Sequence, residues 1–150
     1  MRNLTATLCL TLAVLLGSAG MSVSQDFQVG LDAARKGDYA TALREWTPLA
    51  EQGDAGAQYN LGLMYGNGDG VPQDDKNAMK WYTLAAGQGY ADAQYNLGFM
   101  YDNGYGVPQD YKTAMKWYTL AAEQGDASAQ TNLGAMYANG EGVLQDYVYA

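Results

Sequence analysis

The chain has 150 residues, and 8 Lys and Arg against 16 Asp and Glu give it a formal charge of −8. With no histidine and one cysteine, it cannot hold a Ser-His-Asp triad, a His-ligated zinc, a CxxC pair or an intrachain disulfide. The acidic balance argues against nucleic acid, whose phosphates select basic surfaces. An apolar fraction of 48% with 16% charged residues argues against disorder.

The chain opens on a basic start, Met1-Arg2-Asn3, followed by a mostly apolar run from Leu4 to Leu16 and then Gly17, Ser18, Ala19 and Gly20. This is the region order of a secretory signal peptide, assigned to 1–24, with Ala19, Gly20 and Ser24 as candidate cleavage positions. The run is shorter than the ~20 apolar residues a membrane-spanning helix needs. Cys9 sits in mid-run, too early for a lipidated cysteine. Cleavage removes Arg2 and Cys9 and leaves a cysteine-free chain of net charge −9. The expectation is an exported protein, periplasmic or secreted, without a stable membrane anchor.

Residues 26–53 read as a helix pair, Asp26 to Lys36 and Asp38 to about Gln52, with Gly37 at the turn. Gly37-Asp38-Tyr39 followed by Ala42, Trp46 and Leu49 has the tight turn of a tetratricopeptide unit. Pro48 should bend the second helix or start a new turn there.

The next two segments repeat. Residues 54–89 align without gaps to 90–125, with 28 of 36 positions identical, and 126–150 begins a third copy. Each copy reads as two helices. In the first, Ala57, Leu61, Met64 and Tyr65 share a face; in the second, Ala78, Met79, Tyr82, Ala85 and Ala86 do. Between them, Asn67 and the following glycines suit a left-handed helix end, Pro72 stops continuation, and Asp74 is a good N-cap. Gly89, like Gly53 and Gly125, closes the second helix. Mid-helix Gly62, Gly98 and Gly134 each oppose helix propensity by about 1 kcal/mol. Their return at one repeat position predicts a close helix crossing, with Trp81, Tyr82, Tyr59 and Tyr65 filling the space between helices.

The pattern Ala-Gln-x-x-Leu-Gly-x-Met-Tyr, then Asn-Gly-x-Gly-Val-x-Gln-Asp, then Trp-Tyr-x-x-Ala-Ala-x-Gln-Gly resembles the Sel1-like repeat, in full over 54–89 and 90–125 and in part over 126–150. The resemblance implies a right-handed all-α solenoid of stacked antiparallel helix pairs, about seven helices with an incomplete last repeat. It also implies a non-catalytic adaptor of the bacterial cell envelope that binds a protein or peptide partner. A cysteine-rich branch of that family is linked to β-lactam processing. Lacking cysteine after residue 9 and any Ser-x-x-Lys stretch, this chain does not inherit that activity.

Ala150 aligns with Ala78 and Ala114, at the start of a second helix. Nothing in Val148-Tyr149-Ala150 resembles a polar cap, so the sequence reads as a truncated product, with an open end used for pairing as the alternative. Leu133, Met136 and Tyr137 are then expected to be partly exposed.

No cofactor or metal is expected. The acidic loops lack the alternating ligand order and closing Glu of a calcium-binding EF-hand, and Gly66 to Gly70 lacks the GK[ST] of a phosphate loop. The two full copies differ at 54/90, 56/92, 63/99, 66/102, 69/105, 75/111, 77/113 and 87/123. Four of these bring an aromatic into the second copy, Tyr90, Phe99, Tyr105 and Tyr111, and all are read as surface. Phe99, Tyr105 and Tyr111 are the candidate partner-binding residues. A carbohydrate-binding surface around Tyr105 and Tyr111 is the alternative.

Overall fold

The computed structural model describes residues 25–142, so the leader assigned to 1–24 and the last eight residues lie outside it. The described residues form seven helices and no strand. Helix α1 covers 25–35, and it is followed by α2 (Tyr39–Glu51), α3 (Ala55–Asn67), α4 (Asp75–Gly87), α5 (Ala91–Asn103), α6 (Tyr111–Glu123) and α7 (Ala127–Asn139). From α2 onward each helix packs on the next, giving a solenoid of stacked antiparallel helix pairs.

The helix ends follow from the sequence. Asp54 and Asp126 cap α3 and α7 by accepting from Ala57 N at 2.8 Å and Ala129 N at 2.7 Å. Asp38, Asp74 and Asp110 cap α2, α4 and α6 in the same way, and the hydrogen bonds they accept hold their carboxyls below the usual range. Helix α5 is the exception. Tyr90 occupies its N-cap position without a side-chain hydrogen bond, and its ring instead packs on Tyr59, 5.1 Å between centroids. Pro48 neither ends α2 nor restarts it: the helix runs unbroken through it to Glu51.

The long loop of each repeat is fixed by two glycines with separate tasks. Gly68 and Gly104 take left-handed φ values of 78° and 74° and close α3 and α5. Two residues on, Gly70, Gly106 and Gly142 dock against the first residue of the second helix in the preceding unit. Those residues are Tyr39, Asp75 and Tyr111, and any Cβ on these glycines would collide with them. The backbone N–H groups of Asp74 and Asp110 donate to Tyr65 O and Tyr101 O at 2.9 and 2.8 Å and tie each loop shut.

Packing between the two helices of a unit depends on the mid-helix glycines. A Cβ on Gly62 would stand 2.5 Å from the ring of Tyr82, and one on Gly98 2.6 Å from that of Tyr118. Both tyrosines are buried, and Ala57, Ala78, Ala85, Ala93, Ala114 and Ala121 bring the helices close around them. Tyr59 and Tyr95 pack on these rings at 5.9 and 5.7 Å. Trp81 is half-buried and packs back onto the cluster of Trp46, Leu49 and Leu61. In the opening unit Gly30 plays the same part against Trp46, whose indole N–H donates to Phe27 O at 3.2 Å.

Two expectations are corrected here. Among the described residues Gly134 has no neighbour within 4 Å of where its Cβ would stand. Gly62 and Gly98 each meet a tyrosine twenty positions later, and the 150 residues hold no such position for Gly134. Met136 is 2% exposed, sealed in a cluster with Ala114, Tyr118, Ala121 and Ala129, while Leu133 is half-buried and Tyr137 is 62% exposed. A thioether on the α6 side of α7 is covered by α6 itself, so it needs no later helix.

Adjacent units are also joined by a buried glutamine, which a second glutamine of its own unit holds in place. Gln58 donates to Ala50 O at 3.0 Å and accepts from Gln88 Nε2 at 2.8 Å. One repeat later Gln94 donates to Ala86 O at 3.2 Å and accepts from Gln124 at 2.7 Å. Gln58 and Gln94 are each 4% exposed, so these bonds satisfy amides that would otherwise be costly to bury.

The two glycine environments give opposite expectations for one substitution. Gly62→Ala overpacks the Tyr82 ring and should destabilise by about 1–3 kcal/mol. Gly134→Ala fills open space in a helix interior and should stabilise by up to about 1 kcal/mol. Urea unfolding of the two variants should place them on opposite sides of the parent; a shared sign would contradict the packing described.

Candidate binding groove

A cavity of about 400 Å³ lies where the two full repeats meet. Its floor is Ala78 and Tyr82 of α4 with Met100 of α5. Leu63, Gly66 and Asn67 of α3 form one wall, and Asn96 and Phe99 of α5 the other. Gln73, Asp75 and Tyr105 form the rim.

Each wall has a local cause. Gly66 leaves the space open: a Cβ there would meet only Ala78 Cβ and Tyr82 Oη, at 3.6 and 3.7 Å. Tyr105 is brought to the rim because its neighbour Gly106 docks on the Asp75 backbone. Its ring then packs on Phe99, 5.8 Å between centroids and tilted 41°. Phe99 and Tyr105 are 41% and 48% exposed, so both rings present apolar surface to solvent. Burial pushes the Tyr82 phenol well above its ordinary range, with lesser influence from Tyr59 and a nearby Asn96 amide that acts the other way. Tyr82 therefore stays neutral at physiological pH.

The equivalent place at the next junction is built differently. Asp102 stands where Gly66 does, and Tyr118 Oη donates to its carboxylate at 3.4 Å. Ala135 and Glu141 take the places of Phe99 and Tyr105, and Tyr111 takes that of Asp75.

The three candidate residues are thus not one surface. Phe99 and Tyr105 are brought together at the groove. Tyr111 is half-buried against the cluster of Ala114 and Tyr118, and its hydroxyl accepts from Gln109 Nε2 at 3.0 Å. Tyr90, also read as surface, is half-buried on Tyr59. The physical reason is size: a tyrosine ring at a helix start is long enough to fold onto neighbouring side chains, Tyr59 of α3 for Tyr90 and the cluster of Ala114 and Tyr118 for Tyr111. Sequence reasoning missed Leu63, Gly66, Asp75 and Asn96 as groove residues. The first three are among the positions where the two copies differ, and that was the available signal.

Among the described residues no group of three or more His, Cys, Asp or Glu is placed to hold a metal ion, and no helix is long and apolar enough to cross a membrane. The fold is that of an α-solenoid repeat protein, with a cavity between two of its units. Three successive segments, 55–90, 91–126 and 127–150, match the Sel1 repeat, and the chain belongs to the Sel1 repeat family. Among solved structures it is similar to a protective antigen of uropathogenic Escherichia coli strains displaying an SLR fold (TM-score 0.79, 37% identity, 84% of this chain and 28% of that one). It is also similar to a Sel1 repeat protein from Oxalobacter formigenes (TM-score 0.74, 34% identity, 77% of this chain and 48% of that one). Helicobacter pylori cysteine rich protein B shares the fold at TM-score 0.59 and 22% identity, over 75% of this chain and 95% of that one. The chain thus spans less than half the length of the first two. No curated protein matches it.

Asp102 carries a consequence for stability. Burial raises its pKa above the ordinary carboxyl value, Glu141 adds to this, and the Tyr118 hydrogen bond opposes it. The folded state then binds a proton at Asp102 more readily than the unfolded chain. Stability from this group therefore falls as pH rises through the raised value, and ionised Asp102 is unfavourable at pH 7. Asp102→Asn should raise the urea midpoint at pH 7, with the gain shrinking towards pH 3.5. A loss at pH 7 would show the Tyr118 bond outweighing burial.

Proposed function

We propose that this chain is a non-catalytic protein-binding scaffold of the bacterial cell envelope that receives a peptide or helix of its partner in the groove between α3, α4 and α5. The observation that carries this reading is the groove itself, an open cleft with an exposed aromatic pair at a junction between otherwise near-identical repeats. Repeat solenoids present extended surfaces of this kind to partners. Export is supported by the leader-like order of residues 1–24 and by the likeness to a protective antigen.

A carbohydrate ligand is the second reading, favoured by the exposed Phe99 and Tyr105 rings. Their 41° tilt is unlike the single flat platform a sugar ring prefers. The test is affinity capture from envelope extract, with the parent chain and the double variant Phe99→Ala/Tyr105→Ala on parallel supports. A protein retained by the parent and lost by the variant is the expected result. Retention of soluble cell-wall glycan by the parent alone would replace the protein partner with a sugar. Hydrolysis of nitrocefin by the parent would contradict the non-catalytic reading.

A further inference from the structure

Four of the eight position pairs that differ between the two full repeats contribute to one place. Leu63, Gly66 and Asp75 of the first copy and Phe99 and Tyr105 of the second all come from differing positions, and all line the groove. The identical positions build helices, caps and crossings at both junctions alike. The divergent ones open a cleft at one junction, while at the next Asp102 reaches across to Tyr118.

The chemistry of that cleft is specific. Asp75 is its one charged lining residue and makes no ion pair among the described residues. The Lys80 ammonium, on the same helix, lies over the Trp81 ring at 5.0 Å. Around Asp75 stand the aromatic rings of Tyr82, Phe99 and Tyr105, and Asn67, Gln73 and Asn96 bring side-chain carbonyls that can accept hydrogen bonds. One carboxylate, aromatic faces and amide acceptors together suit a planar cation with several N–H donors. A guanidinium stacks on aromatic rings and donates in pairs to a carboxylate, which an ammonium does less well. About 400 Å³ lies at the small end of the range for ligand pockets, enough for one long side chain and its flanking backbone. The net charge of −8 draws basic segments towards the chain.

We infer that the groove is an arginine pocket: it takes the guanidinium of an arginine in a basic segment of the partner, with Asp75 as counter-ion and Phe99 and Tyr105 as stacking faces. This rests on the scaffold reading above and names the chemistry of its partner.

The test is an NMR titration of the full ¹⁵N-labelled chain with N-acetyl-arginine methylamide, alongside the neutral citrulline analogue of the same shape. Saturable shifts at Asp75, Phe99 and Tyr105 are expected with the arginine compound, and binding of the citrulline compound at least about tenfold weaker. Asp75→Asn should weaken arginine binding by about the same factor. Phe99→Ala, which places at 99 the residue already present at 135, should weaken it with helicity retained. Equal binding of the two compounds, shifts outside the groove, or no saturable shift would overturn the pocket. A partner captured equally by the parent and Asp75→Asn would also overturn it while leaving the scaffold reading intact. Arginine binding as expected with no captured partner would uphold the pocket and remove the scaffold reading.

Discussion

The fold depends on an aromatic ring seated against helix backbone at a position that has no side chain. Tyr82 lies on Gly62, Tyr118 on Gly98 and Trp46 on Gly30. Each glycine weakens its own helix by about 1 kcal/mol relative to alanine. The offset is a large ring buried in full contact with two helices, reinforced by a second aromatic about 6 Å away. Because the ring needs the backbone to come so close, the spacing within each helix pair is set by this contact. Small residues elsewhere, such as Ala78 and Ala85, accommodate it.

The junctions between units are set by backbone and amide groups rather than by large side chains. Gly70, Gly106 and Gly142 rest on the first residue of a helix in the preceding unit, and Gln58 and Gln94 donate across the junction to the Ala50 and Ala86 carbonyls of the preceding unit. These contacts tolerate change in the side chains around them. That leaves positions 63, 66, 69 and 75 and their partners free to differ without disturbing the stack. The groove takes its lining from that freedom: the scaffold is repeated, and the side chains at positions 63, 66, 69 and 75 are not.

Much of the architecture was legible in the sequence because it recurs. The 36-residue period marked the helix pairs, Asp74 and Asp110 marked helix starts, and Gly62 and Gly98 marked close crossings. Gly30 was not recognised, since the short opening turn puts it sixteen rather than twenty positions before its aromatic partner. Gln58 and Gln94 looked like ordinary polar helix residues, and only the contact between units shows why they are buried. Of the site, Phe99 and Tyr105 were legible as aromatic departures from the repeat. Their meeting with Gly66 and Asp75 was not, because it spans two repeats and depends on where Gly106 docks. Tyr90 and Tyr111 show the limit of equating variation with exposure: both vary between copies, yet both cover part of themselves against neighbouring side chains.

The ring-on-glycine contact is tested most directly by a double-mutant cycle on Gly62 and Tyr82. Tyr82→Leu removes the ring edge that an alanine at 62 would strike. The account predicts that Gly62→Ala costs far less in the Tyr82→Leu background than in the parent, a coupling of at least about 1 kcal/mol in urea unfolding. Additive effects would show that Gly62 is not held free of a side chain by Tyr82, and the central contact would have to be abandoned.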